Sequence, residues 1–173
     1  MKIFITGRPG SGKSTTLYKI VKNLKEKFKV GGIFTPEVRD GMKRIGFEVF
    51  DIFTGRRQIF ASVNFKSRLK VGKYFVDLEK FEEIAIPALE FAFESCDVVA
   101  IDEIGKMEFL SENFKVLLGK ILNSDKILVA TLYIGYVKDF KNLGKLYFLE
   151  RGQSDFLSMK ISDEVIRFFE RRL

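Results

Sequence analysis

A chain of 173 residues, 46% of them hydrophobic and with a net charge of +7, can bury one core and predicts a single domain spanning residues 1–173. Histidine is absent and Cys96 is the one cysteine, which excludes an internal disulfide, a zinc set and a cysteine nucleophile with an imidazole partner. Apolar stretches fall well short of the ~18 residues that cross a membrane, and Lys2 leads straight into a strand with no cleavable leader, so the chain is expected to be cytoplasmic with no membrane partner.

From the N-terminus, Lys2–Thr6 is a short β-branched and aromatic run, the pattern of a buried parallel strand. It hands over to Gly7, Arg8, Pro9, Gly10, Ser11, Gly12, Lys13 and Ser14, then Thr15, which fill the phosphate-loop pattern G-x-x-x-x-G-K-[ST]. Glycines there let successive amides turn inward around a polyphosphate. Lys13 adds charge at the outer phosphates, and the Ser14 hydroxyl is placed to ligate magnesium. Leu17, Ile20, Val21, Leu24 and Phe28 then recur at helical spacing. A chance glycine-rich turn is the alternative, but strand, loop and amphipathic helix come in the order a nucleotide site requires.

Residues 30–35 are predicted as a second strand, entered through a Gly31-Gly32 turn. Residues 44–53 and 57–63 alternate between apolar and polar side chains around Thr54, Gly55 and Arg56, which predicts an antiparallel hairpin. A basic loop over 64–72 and a short strand over 73–78 follow. The period turns helical from Glu79, and Pro87 is read as opening a new helical turn, because proline in a helix interior loses a hydrogen bond. Residues 97–102 read as a buried strand, Ser111 as the cap of a helix carrying Phe114, Leu117, Leu118 and Ile121, and 126–133 and 146–149 as the remaining strands. Cys96 is expected to pack beside the 97–102 strand. The last helix is predicted to be capped by Ser162, with Asp163 and Glu164 at its start and Arg171 and Arg172 at its end, opposing the helix dipole. The alternation gives a three-layer α/β sandwich with a mostly parallel sheet and an antiparallel hairpin insertion.

Val98, Val99, Ala100 and Ile101 run directly into Asp102 and Glu103. A buried strand that ends in carboxylates presents them to the ligand crevice of an α/β sheet. Two acids facing solvent are the alternative, and they would be weak evidence without the phosphate loop. With it, Asp102 is the candidate for direct or water-mediated magnesium binding, and Glu103 for orienting and deprotonating a water that attacks the γ-phosphorus.

At this point the chain resembles the THEP-type nucleoside-triphosphatases, a thermophilic family whose animal members are called cancer-related nucleoside-triphosphatases. The resemblance is carried by residues 7–17, by Gly32-Ile-Phe-Thr-Pro-Glu-Val-Arg39 with Gly41, Gly46 and Phe47, by Val71-Gly-Lys-Tyr74, and above all by Ile101-Asp-Glu-Ile-Gly-Lys-Met-Glu108 with Ser111 and Phe114. It implies a P-loop nucleoside-triphosphatase sandwich and magnesium-dependent hydrolysis of ATP, GTP, CTP and UTP, slow and with loose base choice. It also implies that the nucleotide lies against residues 7–15 and against Val98, Val99, Ala100, Ile101, Asp102, Glu103, Ile104 and Gly105. Glu37, Arg39, Lys73, Lys106 and Glu108 become candidates for the phosphate surroundings. Arg39 or Lys106, or Arg8 within the loop, would supply an internal cation over the developing charge, each with a structural ion pair as the plainer reading.

Two other functions stay open. Residues 65–74 interleave aromatics with lysine and arginine, which suits a nucleic-acid-associated ATPase, although a basic loop is more often a solvated face. A nucleoside or nucleotide kinase shares the same phosphate loop but needs an acceptor pocket and a lid, and no lid is evident. Abundant lysine and glutamate with only Gln58 and Gln153 as glutamines also fits a heat-adapted surface. Beyond Tyr133 no base-recognition element is legible; Tyr136, Phe140 and Phe148 are either stacking platforms or core.

Overall fold

In the computed structural model, which describes residues 1–173, ten strands form one sheet with helices on both faces. In chain order the elements are β1 (Lys2–Thr6), α1 (Lys13–Leu24), β2 (Val30–Phe34), β3 (Glu37–Asp40), β4 (Lys43–Asp51), β5 (Arg57–Ser62), β6 (Leu69–Val71) and β7 (Tyr74–Val76). They continue with α2 (Leu78–Ser95), β8 (Val98–Ile104), α3 (Glu112–Leu122), β9 (Ile127–Leu132), α4 (Val137–Phe140), β10 (Lys145–Phe148) and α5 (Ser154–Arg171). The sheet order is β10-β1-β9-β8-β2-β4-β5-β7-β6, with β3 paired to β4 off that path. The half from β10 to β2 is parallel and the half from β4 to β6 antiparallel. A three-layer α/β sandwich with an antiparallel insertion is therefore the architecture, and β9 lies between the phosphate-loop strand β1 and the acid-bearing strand β8.

Alternation along the parallel strands builds two cores. Ile3, Ile5, Val98 and Ala100 pack with α1 and α5, while Phe4, Val99 and Ile101 pack with α2 and α3. Both faces of these strands are covered, which is why they read as continuous apolar runs.

Four local expectations are corrected. Gly31 and Gly32 do not turn; they lie inside β2, in register with Val99 and Ala100 of β8. Gly32 has φ +125°, and a Cβ there would sit 1.9 Å from the Ala100 carbonyl oxygen, so glycine serves close strand approach. Cys96 is buried as expected, its sulfur filling the space above Gly31. Pro87 does not begin a helix. It lies within the continuous α2, its ring exposed, while Phe81, Ile84, Ala85, Ala88 and Leu89 hold the turns on either side against the sheet.

The basic loop and following strand are a second hairpin, β6–β7, turning at Gly72. Finally, α5 starts at Ser154, eight residues before the predicted Ser162 cap, which instead is buried in mid-helix and donates to the Ser158 carbonyl at 2.7 Å. Two serines on the buried face hid the apolar periodicity of Leu157, Ile161 and Val165, and Asp163 and Glu164 fall mid-helix, away from the dipole end.

Gly32→Val is expected to destabilise the protein by about 3 kcal/mol or more, combining overpacking with a left-handed backbone that a β-branched residue resists. Urea unfolding checks this, and an unchanged midpoint would contradict the close β2–β8 contact.

Candidate active site

The loop between β1 and α1 is shaped by its glycines: Gly10 and Gly12 take φ +79° and +98°. Helix α1 begins with no side-chain cap and no acid in its first turn, leaving its N-terminal amides and dipole free to face an anion. Ser11 Oγ is buried without a partner, a further donor left over in the loop. Gly7 is buried against the chain that follows β10, where a Cβ would be 2.7 Å from the Leu149 carbonyl oxygen.

Asp102 and Glu103 would point to opposite faces if β8 ran straight. Pairing with β9 instead jumps from Ile101–Ala130 to Ile104–Leu132, so that two residues of β8 stand against the single Thr131. This bulge lets both acids meet the phosphate loop. Ser14 Oγ donates to Asp102 Oδ1 at 3.0 Å, and Thr131 Oγ1 donates to the same oxygen at 2.7 Å. Lys13 Nζ lies 3.2 Å from Glu103 Oε2 and donates to the Gly7 carbonyl at 3.2 Å. Thr35, just past β2, ties down the Asp102 main chain by donating to its carbonyl at 2.7 Å.

Asp102 is fully buried, and its second oxygen, Oδ2, has no partner. Burial pushes its pKa up to about 6, the hydroxyls of Thr131 and Ser14 and the Lys13 charge pulling the other way and Glu103 adding to the rise. A buried carboxylate oxygen without a donor, beside a serine hydroxyl, fits the all-oxygen preference of magnesium. Glu108 is also buried, and burial followed by the nearby Glu103 charge raises its carboxyl well above the usual range.

A cavity of about 580 Å³ lies over the loop, between residues 7–11 and a wall formed by Ile134 and residues 148–151. Arg151 is its new element: the guanidinium stands 3.8 Å from where a Gly10 Cβ would be. The available signal was topological, since the chain leaving a strand parallel to β1 must pass the phosphate loop, and Leu149 N–H does bond the Thr6 carbonyl.

The structure does not gather every sequence candidate. Val98, Val99, Ala100 and Ile101 are fully buried in the two cores; they hold Asp102 in place and cannot touch a ligand. Arg39 lies on exposed β3, bonded to Glu37 at 2.7 Å and to the Met42 carbonyl at 2.9 Å, and it lines neither cavity at the site. Glu37 also holds Arg44, and Lys73 sits over the Tyr74 ring on the edge hairpin. Lys106 is near Glu103, but its ammonium lies 5.1 Å over the Tyr133 ring. Arg8, Pro9, Gly10 and Ser11 line the large cavity; Ser14 and Thr15 are exposed at the start of α1. Aromatics of the basic segment already carry the chain's own cations, Lys80 over Phe65 and Arg44 and Lys73 over Tyr74. No helix is long and apolar enough to cross a membrane.

Glycine loop, Asp102 and Glu103 thus face one point, and residues 2–162 match the family described as NTPase. The chain belongs to this nucleoside-triphosphatase family. It is 41% identical over 167 residues to the nucleoside-triphosphatase THEP1 of Methanocaldococcus jannaschii, covering 96% of this chain and 98% of the relative. It is 46% identical to that of Korarchaeum cryptofilum, covering 94% and 87%. Among solved structures it matches the crystal structure of THEP1 from Aquifex aeolicus with TM-score 0.81 and 38% identity over 93% of this chain and 96% of that one. The solution structure of a human cancer-related nucleoside triphosphatase matches with TM-score 0.77 and 30% identity over 95% and 96%.

Because Glu108 binds its proton more tightly in the folded than in the unfolded chain, its contribution to stability is present at low pH and lost as pH climbs past the ordinary carboxylate range. Glu108→Gln should therefore gain thermal stability relative to the parent as pH rises above about 4, where an unfolded glutamate titrates and a buried one resists. A pH-independent difference in melting temperature would contradict the raised carboxyl.

Proposed function

We propose that this nucleoside-triphosphatase hydrolyses magnesium-bound ATP, GTP, CTP and UTP to the diphosphate and phosphate, slowly and with loose base choice. The observation that carries this is the joint arrangement of Ser14 with Asp102 and of Lys13 with Glu103. Ser14 and the orphaned oxygen of Asp102 would hold the magnesium ion, which when bound supplies positive charge to the outer phosphate oxygens. Lys13 exchanges its pairing with Glu103 for the terminal phosphate. Glu103, released, accepts a proton from a water aimed at the γ-phosphorus, and the bond to the β–γ bridging oxygen breaks with its electrons leaving on the diphosphate.

Loose base choice is supported by the cavity wall. Phe148 and Ile134 are exposed apolar surfaces on which any base can lie, since every base has a face to stack. Slow turnover is supported by the cavity at Glu103, where Lys106 is the lining cation and no arginine is present; an arginine finger is worth roughly 10³–10⁵ in rate.

Phosphate release over the four triphosphates, with magnesium and with EDTA, tests the reading; activity that survives EDTA contradicts it. Glu103→Gln should slow turnover by roughly 10²–10⁴ while nucleotide still binds. Arg151→Ala should raise KM about tenfold at nearly constant kcat, as expected for a contact made equally in ground and transition state. Parent-like turnover in the Glu103 variant would remove the base assignment.

A further inference from the structure

Hydrolysis needs space for one water beside Glu103, yet the structure provides much more. A second cavity of about 190 Å³ opens there, against the roughly 10–15 Å³ that one water requires. It shares no lining residue with the large cavity over the loop. Lys13 lines neither, but it follows the loop residues that line the first and pairs at 3.2 Å with Glu103, which lines the second. A terminal phosphate at Lys13 therefore has the nucleotide on one side and this space on the other.

The walls are Phe47, Phe60, Val71, Met107 and Tyr133, an apolar and largely aromatic set that suits a flat ring. A volume near 150 Å³ accommodates one benzene, so the space takes a single six-membered ring and not a fused pair. Its polar groups are grouped at one place. A Cβ added at Gly105 would lie 2.7 Å from Glu103 Oε1 and 2.9 Å from Glu108 Oε1, so the two carboxyl groups converge across a residue with no side chain. Glu108 is 96% buried and has no cationic partner, and beside Glu103 it offers a carboxyl group to a hydrogen-bonding ring edge. Thr35 and Lys106 complete the rim.

We propose that this second cavity binds a pyrimidine nucleoside as phosphoryl acceptor, so that the enzyme transfers the γ-phosphoryl group to a 5′-hydroxyl as well as to water. The inference rests on the proposed reading of Lys13 and Glu103. In the transfer, the 5′-oxygen attacks the γ-phosphorus and its proton passes to the Glu103 carboxylate. The bond from phosphorus to the β–γ bridging oxygen breaks, its electron pair leaves on the nucleoside diphosphate, and the product is a nucleoside 5′-monophosphate.

The test incubates the protein with magnesium ATP and millimolar cytidine, uridine, thymidine, adenosine or guanosine, and resolves phosphate and nucleoside monophosphate by chromatography. Pyrimidine monophosphates should form about tenfold faster than purine ones, the scale on which a pocket of fixed size discriminates. Val71→Trp, which fills the cavity from the edge hairpin, should lower the ratio of monophosphate to free phosphate about tenfold. Phosphate release with no monophosphate from any nucleoside overturns the inference and leaves hydrolysis standing. Monophosphate without free phosphate upholds the inference and overturns hydrolysis, and neither product overturns both. Equal rates for purines and pyrimidines overturn the single-ring assignment. The nucleoside panel on the unsubstituted protein decides the matter even if the Val71 variant fails to fold.

Discussion

Asp102 brings a carboxylate into the interior where three chain segments meet, and its hydrogen bonds determine how they are joined. Ser14 reaches it from the phosphate loop and Thr131 from β9, both on the same oxygen. Its partner oxygen is left with nothing. Burying a carboxyl group in this way is costly, and burial raises its pKa accordingly. In a fold selected for stability alone such a group would be replaced by an apolar one. The proposed magnesium ion, by satisfying the free oxygen, would give it a reason to be there.

The rest of the architecture serves that contact. The strand order places β9 between the loop strand and the acid strand, so Thr131 can bridge them. The bulge in β8 turns consecutive acids toward one loop, dividing labour between Asp102 on Ser14 and Glu103 on Lys13. Gly32 lets β2 lie close enough for Thr35 to hold the Asp102 carbonyl. Buried residues of β8 act as a rigid stem, which explains why that run is so uniformly apolar although it never meets the ligand.

Legibility from sequence followed the range of the interactions. The strand–loop–helix around residues 7–14, the strand ending at 98–103 and the β4–β5 hairpin are local patterns, and each lies where its spacing puts it. Readings that depended on distant packing failed. Gly31 and Gly32 read locally as a turn, because the space they leave belongs to Cys96 and Ala100, far along the chain. Pro87 reads locally as a boundary, because its cost is local while the apolar contacts that offset it are tertiary. Ser158 and Ser162 masked the start of α5, their hydroxyls being satisfied by the helix itself. Arg151 and the Glu103–Glu108 cavity were invisible for the same reason: only the pairing of β10 with β1, and of the hairpin strands with one another, brings their walls together. Arg39 has the right charge for a phosphate site but Glu37 engages it on exposed β3, whereas Lys106 does line the cavity at Glu103, its ammonium over the Tyr133 ring.

The central claim is that the glycine loop and the acid pair share one metal-bound triphosphate. A crystal structure of the Glu103→Gln protein with ATP and manganese, the metal located by its anomalous scattering, addresses it directly. A manganese peak is expected beside Ser14 Oγ and the Asp102 carboxylate, with the terminal phosphate at Lys13. A metal peak elsewhere, or a triphosphate that leaves Lys13 on residue 103, would contradict it.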